Sequence, residues 1–585
     1  MHQQDEFDLV ILHGHLMPGG VTNVIAAQIR VLLATDPVDK DRLSVSVDRA
    51  FPKRILLLSG PRSKGLDLKT LREVSSVPIE HVPLPRLEYD SVLKEKGAAR
   101  HDGQSMTAEI HGALQRHDCD PQNTVIHWHN YSLGKNLASP DAVRGLHTLG
   151  YRLLLQIHDF AEDNRPANLA YLLQGFGDGD IAAAITDWLY PDLPNVHYAC
   201  LTYGDTSRVQ SLGLCHGSVS TLPNPVLSHA DATSGDTGST NPGQKVEKDA
   251  PDGSGLAADS QAKPNQNQET KQKVFAANSI PEDAKLVLYP VRGIRRKNVG
   301  EMLMLAAMMQ SHSRKTNSTR FYFGITLRPK NPREASSYEQ WRQLAQDLEL
   351  PVCFDMGMQA DITFDENVAA ADWMLSTSVA EGFGMVFLES SQIGSPLLAR
   401  DLPGVTEHFR NAGIQFPHLY DQLSVPLTSL HYQLSIQLRQ AIWRVAVSQL
   451  PHELAGECPG LTTQQLPNQP RRADFAHLPT QFQSDLIRQV TTNSSTANRV
   501  LEWNQGIVSA LTESDPATDQ STLADNRKSI DAFCGQQASR RRLGELYHSI
   551  LADHVVQSAE SESLQRQTIL SSFSNTADFA PCRVE

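Results

Sequence analysis

Glu381 and Glu389 stand eight positions apart, with Gly382-Phe383-Gly384 and the apolar run Met385-Val386-Phe387-Leu388 between them. Glycine lets a backbone approach a ligand closely because no Cβ stands in the way. The apolar run starts a helix, and the free N–H groups of a helix N-terminus suit an anionic or hydroxyl-rich ligand. Glu389 falls roughly two turns in, where its carboxylate accepts from paired hydroxyls. These residue types fit a nucleotide-sugar cradle, and they also fit an ordinary strand-to-helix turn after the apolar run Trp373-Met374-Leu375. A second group is cationic. Arg292-Gly293-Ile294-Arg295-Arg296-Lys297-Asn298 places four cations within six residues of a chain whose formal charge is −14. Arginine offers a planar fork to phosphate oxygens and lysine a point charge. The alternative for this group is a solvated basic turn.

Two further groups lie near the N-terminus. His13-Gly14-His15-Leu16-Met17-Pro18-Gly19-Gly20-Val21 follows an apolar run, and Gly19-Gly20 before a helix fits a loop beside a phosphate. Gly20-Val21 stands where a P-loop needs Lys-Ser/Thr, and no G-x-G-x-x-G is present, so neither of those nucleotide motifs applies. His127-Trp128-His129-Asn130 and His158-Asp159 end further apolar runs. Histidine hydrogen-bonds well near neutral pH, so one of these could orient a sugar hydroxyl, with Asp159 fixing a tautomer. A satisfied structural histidine is the alternative at each position.

The elements that must position these residues read as short apolar strands alternating with helices. Apolar runs occur at 7–12, 54–58, 124–126, 153–157 and 199–202, with helical spacing at 21–33, 105–116, 140–149 and 166–174. The alternation resumes with strands at 286–290, 320–324, 352–354 and 373–375 and helices at 299–309, 335–348 and 365–370. Such alternation predicts parallel sheets covered on both faces. Between the halves, 229–273 is rich in Ser, Thr, Asp, Gly, Asn, Gln and Pro, has Val246 and Leu256 as its large apolar residues, and reads as a disordered insert. The expected organisation is an α/β domain over 1–228, the insert, a second α/β domain over 274–430, and a mostly helical region over 431–585 that partly returns to the first domain. Residues 403–407 read as a strand-loop segment, and 512–527 and the last dozen or so residues as loosely ordered.

The chain has 585 residues, of which 40% are hydrophobic and 20% charged, ordinary for a soluble multidomain protein. The acidic balance argues against general affinity for nucleic acid or anionic membrane. Seven scattered cysteines without a C-x-x-C pair suggest reduced thiols and a cytoplasmic location, and Met1 to Glu6 lack the basic start of a signal peptide. No apolar run reaches the ~18 residues of a membrane span; peripheral membrane contact stays open, and the oligomeric state does not follow from these residues.

In order and type the motifs resemble the retaining glycosyltransferases of family 4 (glycosyl transferases group 1), which have the GT-B fold. The resemblance rests on Gly19-Gly20, on Arg292 with Lys297-Asn298, and on Glu381 to Glu389 within Glu-Gly-Phe-Gly. Gly394-Ser395-Pro396, Pro403-Gly404-Val405-Thr406-Glu407 and Leu222-Pro223-Asn224-Pro225-Val226 add to it. It covers about 7–228 and 274–410. It implies two Rossmann-like doubly wound domains facing a cleft, with a nucleoside-diphosphate sugar as donor and an unidentified sugar, glycan or small molecule as acceptor. It further implies that Arg292 and Lys297 hold the diphosphate with the amide of Gly20 beside Gly19. Glu389 would take the ribose hydroxyls. Glu381, with Gly382 and the amides of Phe383 and Gly384, would bind the sugar. His158 matches the active-site histidine, and His127, His129 and Asp159 become acceptor-side candidates. No metal or cofactor is required. The polar run Phe160-Ala161-Glu162-Asp163-Asn164-Arg165-Pro166 after His158 is placed to face the acceptor. Rival readings are a glycoside phosphorylase of the same fold, a metal-dependent hydrolase built from His13-x-His15, and a non-catalytic carbohydrate-binding protein.

Overall fold

The computed structural model describes residues 6–33, 51–73, 75–95, 102–174, 187–227, 264–450, 471–552 and 579–584. The chain forms two compact units: Met1–Gly243 with Val447–Pro459 and Asp531–Asn575, and Gln244–Ala446 with Gly460–Ile530 and Thr576–Glu585.

The first unit holds a parallel sheet of β1 (Phe7–His13), β2 (Pro52–Ser59), β3 (Ile79–Pro83), β4 (Thr124–His129), β5 (Arg152–Ile157), β6 (Val196–Cys200) and β7 (Ser218–Thr221). Its order is β3-β2-β1-β4-β5-β6-β7. The central strands are buried at every residue, which is why they read as continuous apolar runs. β3 and β7 were not expected. They are edge strands of mixed polarity and partial burial, so no apolar run marks them. Val10, Leu12, Ile126 and Trp128 pack on the helices Gly103–Arg116 and Ser139–Thr148. Leu9, Ile11, Val125 and Leu154 face the opposite layer, which contains Ile25 and Ile29 of the helix Gly20–Leu33 and Leu543, Tyr547 and Ile550 of Gln536–Leu551. The C-terminal region therefore does return to the first unit, through this last helix.

The second unit holds β8 (Lys285–Arg292), β9 (Phe321–Leu327), β10 (Val352–Cys353), β11 (Trp373–Ser376), β12 (Leu397–Arg400) and β13 (Leu419–Tyr420) in the order β10-β9-β8-β11-β12-β13, all parallel. An antiparallel pair, β14 (Ser424–Leu427) and β15 (Arg471–Asp474), lies outside that sheet. The helix Val299–Thr316 is buried throughout Met302–Met309. Leu486, Ile487, Val490, Val500, Ile507 and Leu511 share its hydrophobic cluster. Residues 471–530 thus complete the second unit's core and are not a separate helical region, as 431–585 was expected to be. Two doubly wound α/β units agree with the expected fold class.

Three local expectations are corrected. Residues 264–273 were assigned to the disordered insert, yet they lie within the helix Pro264–Ala277. Val274 and Phe275 are buried, and Lys271 and Lys273 pair with Asp372 and Glu366 at 2.6 Å each. The remainder of the insert, up to 263, lies outside the described residues. Residues 512–527 were read as loose, but Pro516–Cys534 is a helix. Asp515 accepts from Ala517 N and Thr518 N ahead of it, and Asp519 bonds His418 at 2.8 Å. Ser514-Asp515-Pro516 is the start signal that the polar composition hid. Finally, 403–407 opens the helix Pro403–Asn411 with proline in its first turn. Among the described residues no helix is long and apolar enough to cross a membrane.

Candidate active site

In each sheet the chain reverses its direction of strand addition beside the first strand: between β1 and β4, and between β8 and β11. The loops at the carboxyl ends of such strands diverge and leave a crevice where ligands bind. The cationic turn follows β8 and the Glu-Gly-Phe-Gly segment follows β11, so the second unit's two candidate groups meet at its switch point.

Their side chains are in contact there. Lys297 Nζ lies 2.5 Å from Glu381 Oε1, and Arg296 Nη1 lies 2.9 Å from Glu381 Oε2. Ser378 Oγ donates to Glu381 Oε1 at 2.5 Å. The Glu381 side chain is 7% exposed. Burial by itself would raise its pKa, but Lys297 and Arg296 outweigh that effect and hold it down at about 2. The backbones are tied as well: Val379 N donates to Arg296 O (3.0 Å), and Thr377 Oγ1 and Tyr289 Oη donate to Lys297 O (2.9 and 3.2 Å).

The turn is braced from beneath by a buried ionic network. Asn298 adopts a left-handed conformation (φ 48°) and donates to Glu301 Oε2 at 2.9 Å. Glu301 in turn accepts from Arg400 Nε and Nη2 (3.0 and 2.7 Å) and from Tyr420 Oη (2.8 Å). Arg400 is completed by Asp474 at 2.8 Å. Each of these charges is partnered, the condition under which buried ions are tolerated. Sequence reading missed this network because Glu301, Arg400, Tyr420 and Asp474 are distant in the chain.

Arg292 lies at the end of β8. Its Nη1 donates to the carbonyl of Arg328 at 2.6 Å, and the guanidinium that meets Glu381 belongs to Arg296. Four cations within six residues gave no basis for deciding which would meet Glu381. Gly384 has φ +81° at the start of the helix Met385–Ile393, and a Cβ there would come within 2.7 Å of Val405 Cγ1. Phe383 is buried against Phe409, with centroids 5.2 Å apart. Glu389 lies in the second turn of the helix, 2% exposed.

In the first unit Gly19 precedes the helix Gly20–Leu33, as expected. An added Cβ at Gly19 meets nothing closer than Met17 O at 3.9 Å, so the protein's own packing does not demand glycine. The neighbouring histidines form a buried, neutral chain. His13 Nδ1 donates to His129 O (3.2 Å), His129 Nδ1 bonds His158 Nε2 (2.9 Å), and the rings of His127 and His129 stack at 4.3 Å. Burial dominates their titration: it lowers His13 and His127 to about 4 and His158 to about 3, and takes His129 well below the usual range. His129 Nε2 is buried with no hydrogen-bond partner. An orphaned acceptor is tolerated better than an orphaned N–H. That favours the tautomer in which His129 Nδ1–H donates to His158 Nε2, leaving the proton of His158 on Nδ1.

His127 is a correction. Its ring is wholly buried and is satisfied by Tyr547 Oη and Gln156 Oε1 at 2.9 Å each, so it serves the core and not an acceptor. His129 is also buried, and its Nδ1 is bonded to His158 Nε2. Asp159 is partly exposed and pairs with Arg165 at 2.6 Å. His15 turns towards Tyr89, with ring centroids 4.7 Å apart. Among the described residues no group of three or more His, Cys, Asp or Glu is arranged to hold a metal ion.

Comparison with known proteins bears on the second unit most directly. Residues 270–417 match the family model described as glycosyl transferases group 1. The chain is 26% identical over 426 residues, covering 72% of it and 70% of the relative, to a mannosylglucosyl-3-phosphoglycerate synthase of Petrotoga mobilis. Among solved structures it is similar to a sucrose-phosphate synthase from Thermosynechococcus elongatus, with TM-score 0.47, 13% identity, and 94% and 100% of the two chains covered. An α,α-trehalose 6-phosphate synthase from Burkholderia multivorans gives 0.44 and 12%, with 94% and 99% covered. The segment carrying Arg292, Lys297, Glu381 and Glu389 lies within the match to the glycosyl transferases group 1 family, and that match together with the relative supports a glycosyltransferase activity.

Proposed function

We propose that the protein is a retaining glycosyltransferase that moves a sugar from a nucleoside-diphosphate sugar to a hydroxyl acceptor. The observation that carries this reading is the cluster of Lys297 and Arg296 around a buried, ionised Glu381 at the carboxyl ends of β8 and β11. A diphosphate needs fixed positive charge, and a hydroxylated sugar needs an ionised acceptor held in place. Both are built here before any ligand arrives, which is what makes electrostatic stabilisation effective.

In this reading Lys297, with Arg296 or a rotated Arg292, neutralises charge gathering on the departing diphosphate. The bond from the anomeric carbon to the diphosphate oxygen breaks and its electron pair leaves with that oxygen. The acceptor oxygen bonds to the same face of the carbon, and its proton passes to the leaving phosphate. Glu381 and the amides of Phe383 and Gly384 hold the sugar, and Glu389 the ribose. For the first unit, the family resemblance assigns Gly19-Gly20 to the phosphates and His158, whose Nε2 bonds His129 Nδ1, to the transferred sugar. Because side chains supply the positive charge, we expect chelation with EDTA to leave turnover unchanged. The name of the Petrotoga mobilis relative contains a phosphoglycerate, which directs the acceptor search to phosphorylated compounds. The unpaired cysteine usage fits a cytoplasmic setting.

The test is thermal shift with UDP, GDP and ADP against inorganic phosphate, followed by a donor screen. Stabilisation by one nucleoside diphosphate is expected. A response to inorganic phosphate alone would favour phosphorolysis, and no response to any diphosphate would refute the reading.

A further inference from the structure

The polar segment after β5 and the loop after β4 are built into one surface in the first unit. Asn130, in a left-handed conformation (φ 57°), accepts through Oδ1 from the backbone N–H groups of both His158 (2.8 Å) and Asp159 (3.1 Å). The β4 loop is also seated on the helix Pro166–Leu173. Gly134 has φ +75°, and a Cβ there would stand 2.6 Å from Asn168 O. Asn168 Nδ2 donates to Leu133 O at 3.3 Å. Lys135 and Arg165 are thereby carried on two braced loops at the carboxyl ends of adjacent strands. Arg165 engages Asp159 at 2.6 Å. Lys135 is exposed, and its Nζ makes a long contact of 3.4 Å to the neutral amide oxygen of Asn168.

We propose that Lys135 and Arg165 form the seat for a phosphate group of the acceptor. The inference rests on the transferase reading and deepens it by naming the acceptor class. Two cations, Lys135 and Arg165, and the carboxylate of Asp159 are carried on these two loops. Asn168 links the two: Lys135 Nζ donates to its Oδ1 at 3.4 Å and the Asn168 backbone N–H donates to Arg165 O at 2.9 Å, and a visiting phosphate would relieve repulsion between the two cations. Crowding by neighbouring groups is the larger cause that lowers the Lys135 pKa; the Arg165 guanidinium adds to it and Asp159 opposes it. Arg165 lies in the segment that follows His158, which the transferase reading sets beside the transferred sugar, and a phosphate held here would anchor the acceptor on that side. Arginine paired with a carboxylate keeps its remaining N–H donors available in a fixed fork, and the ammonium adds a mobile donor.

The experiment uses the full chain with the donor found by the screen. Glucose, glucuronate, glucose 6-phosphate and D-3-phosphoglycerate are compared as probes, by isothermal titration in the presence of the nucleoside diphosphate and by diphosphate release. Binding and turnover with at least one phosphorylated probe, well above glucose, is expected. Lys135→Ala and Arg165→Gln should each raise the KM for that probe tenfold or more, with the donor KM changing less than threefold, and Lys135→Arg should recover most of the loss. Failure of both phosphorylated probes to bind overturns the proposal, as does equal use of glucose or an unchanged probe KM in Lys135→Ala. Preference for glucuronate over both phosphates also overturns it. Lys135 is exposed, so its variant folds even where Arg165→Gln does not. Failure of the donor reading shows separately, as absence of a thermal shift with any nucleoside diphosphate in every variant.

Discussion

Replacing Lys297 by alanine separates a catalytic from a structural ammonium. The group lies 2.5 Å from Glu381, whose fall from an ordinary 4.5 to about 2 measures how strongly its surroundings favour the ionised form. That difference corresponds to about 3 kcal/mol, shared with Arg296 and Ser378. Arg296 remains at 2.9 Å in the variant, so Glu381 keeps a partner, and the cost to folding is expected at about 1–2 kcal/mol. On turnover the effect should be larger. Removing one preorganised charge from a developing anion costs about 10²–10³ in kcat. Chemical denaturation and steady-state kinetics on the same preparation give both numbers. A kcat within threefold of the parent, together with a loss of 1–2 kcal/mol in stability, would refute the assignment. A stability loss large enough to account for the whole decline in activity would do the same.

Acid should weaken the first unit through its histidines. His13, His127 and His158 titrate at about 4, 4 and 3 when folded, below the value near 6.5 expected for an unfolded chain. The unfolded state therefore binds more protons, so stability is full above 6.5 and declines as pH falls towards the folded values, by about 1.4 kcal/mol for each histidine at pH 5.5; denaturation midpoints that stay flat between pH 7 and 5.5 would contradict this. The two glycine positions should behave oppositely. Gly384→Ala, at φ +81° and facing Val405 at 2.7 Å, should cost about 1–3 kcal/mol. Gly19→Ala should leave the melting temperature in place while raising the donor KM, and a large fall in Tm would show that the loop needs glycine for folding. Arg400→Met strips both Glu301 and Asp474 of their shared partner and should cost about 3–5 kcal/mol; a change below 1 kcal/mol would mean that the network does not brace the cationic turn.

The strand runs at 7–12, 124–126, 153–157 and 286–290 and the carboxylate–glycine and cationic motifs were legible in the sequence, because full burial and close backbone approach restrict residue type locally. What the sequence determined is therefore the class of each unit and the chemical inventory of the site. The tertiary structure alone decided which members meet. It put Arg296 on Glu381 and Arg292 on the Arg328 carbonyl. It sent His127 into the core against Tyr547, which is 420 positions away. It drew residues 471–530 into the second unit and braced Asn298 through Glu301, Arg400 and Asp474. These choices turn on the reach and direction of side chains brought together by sheet order, and periodicity along a chain records only which face a residue occupies, not what waits across from it.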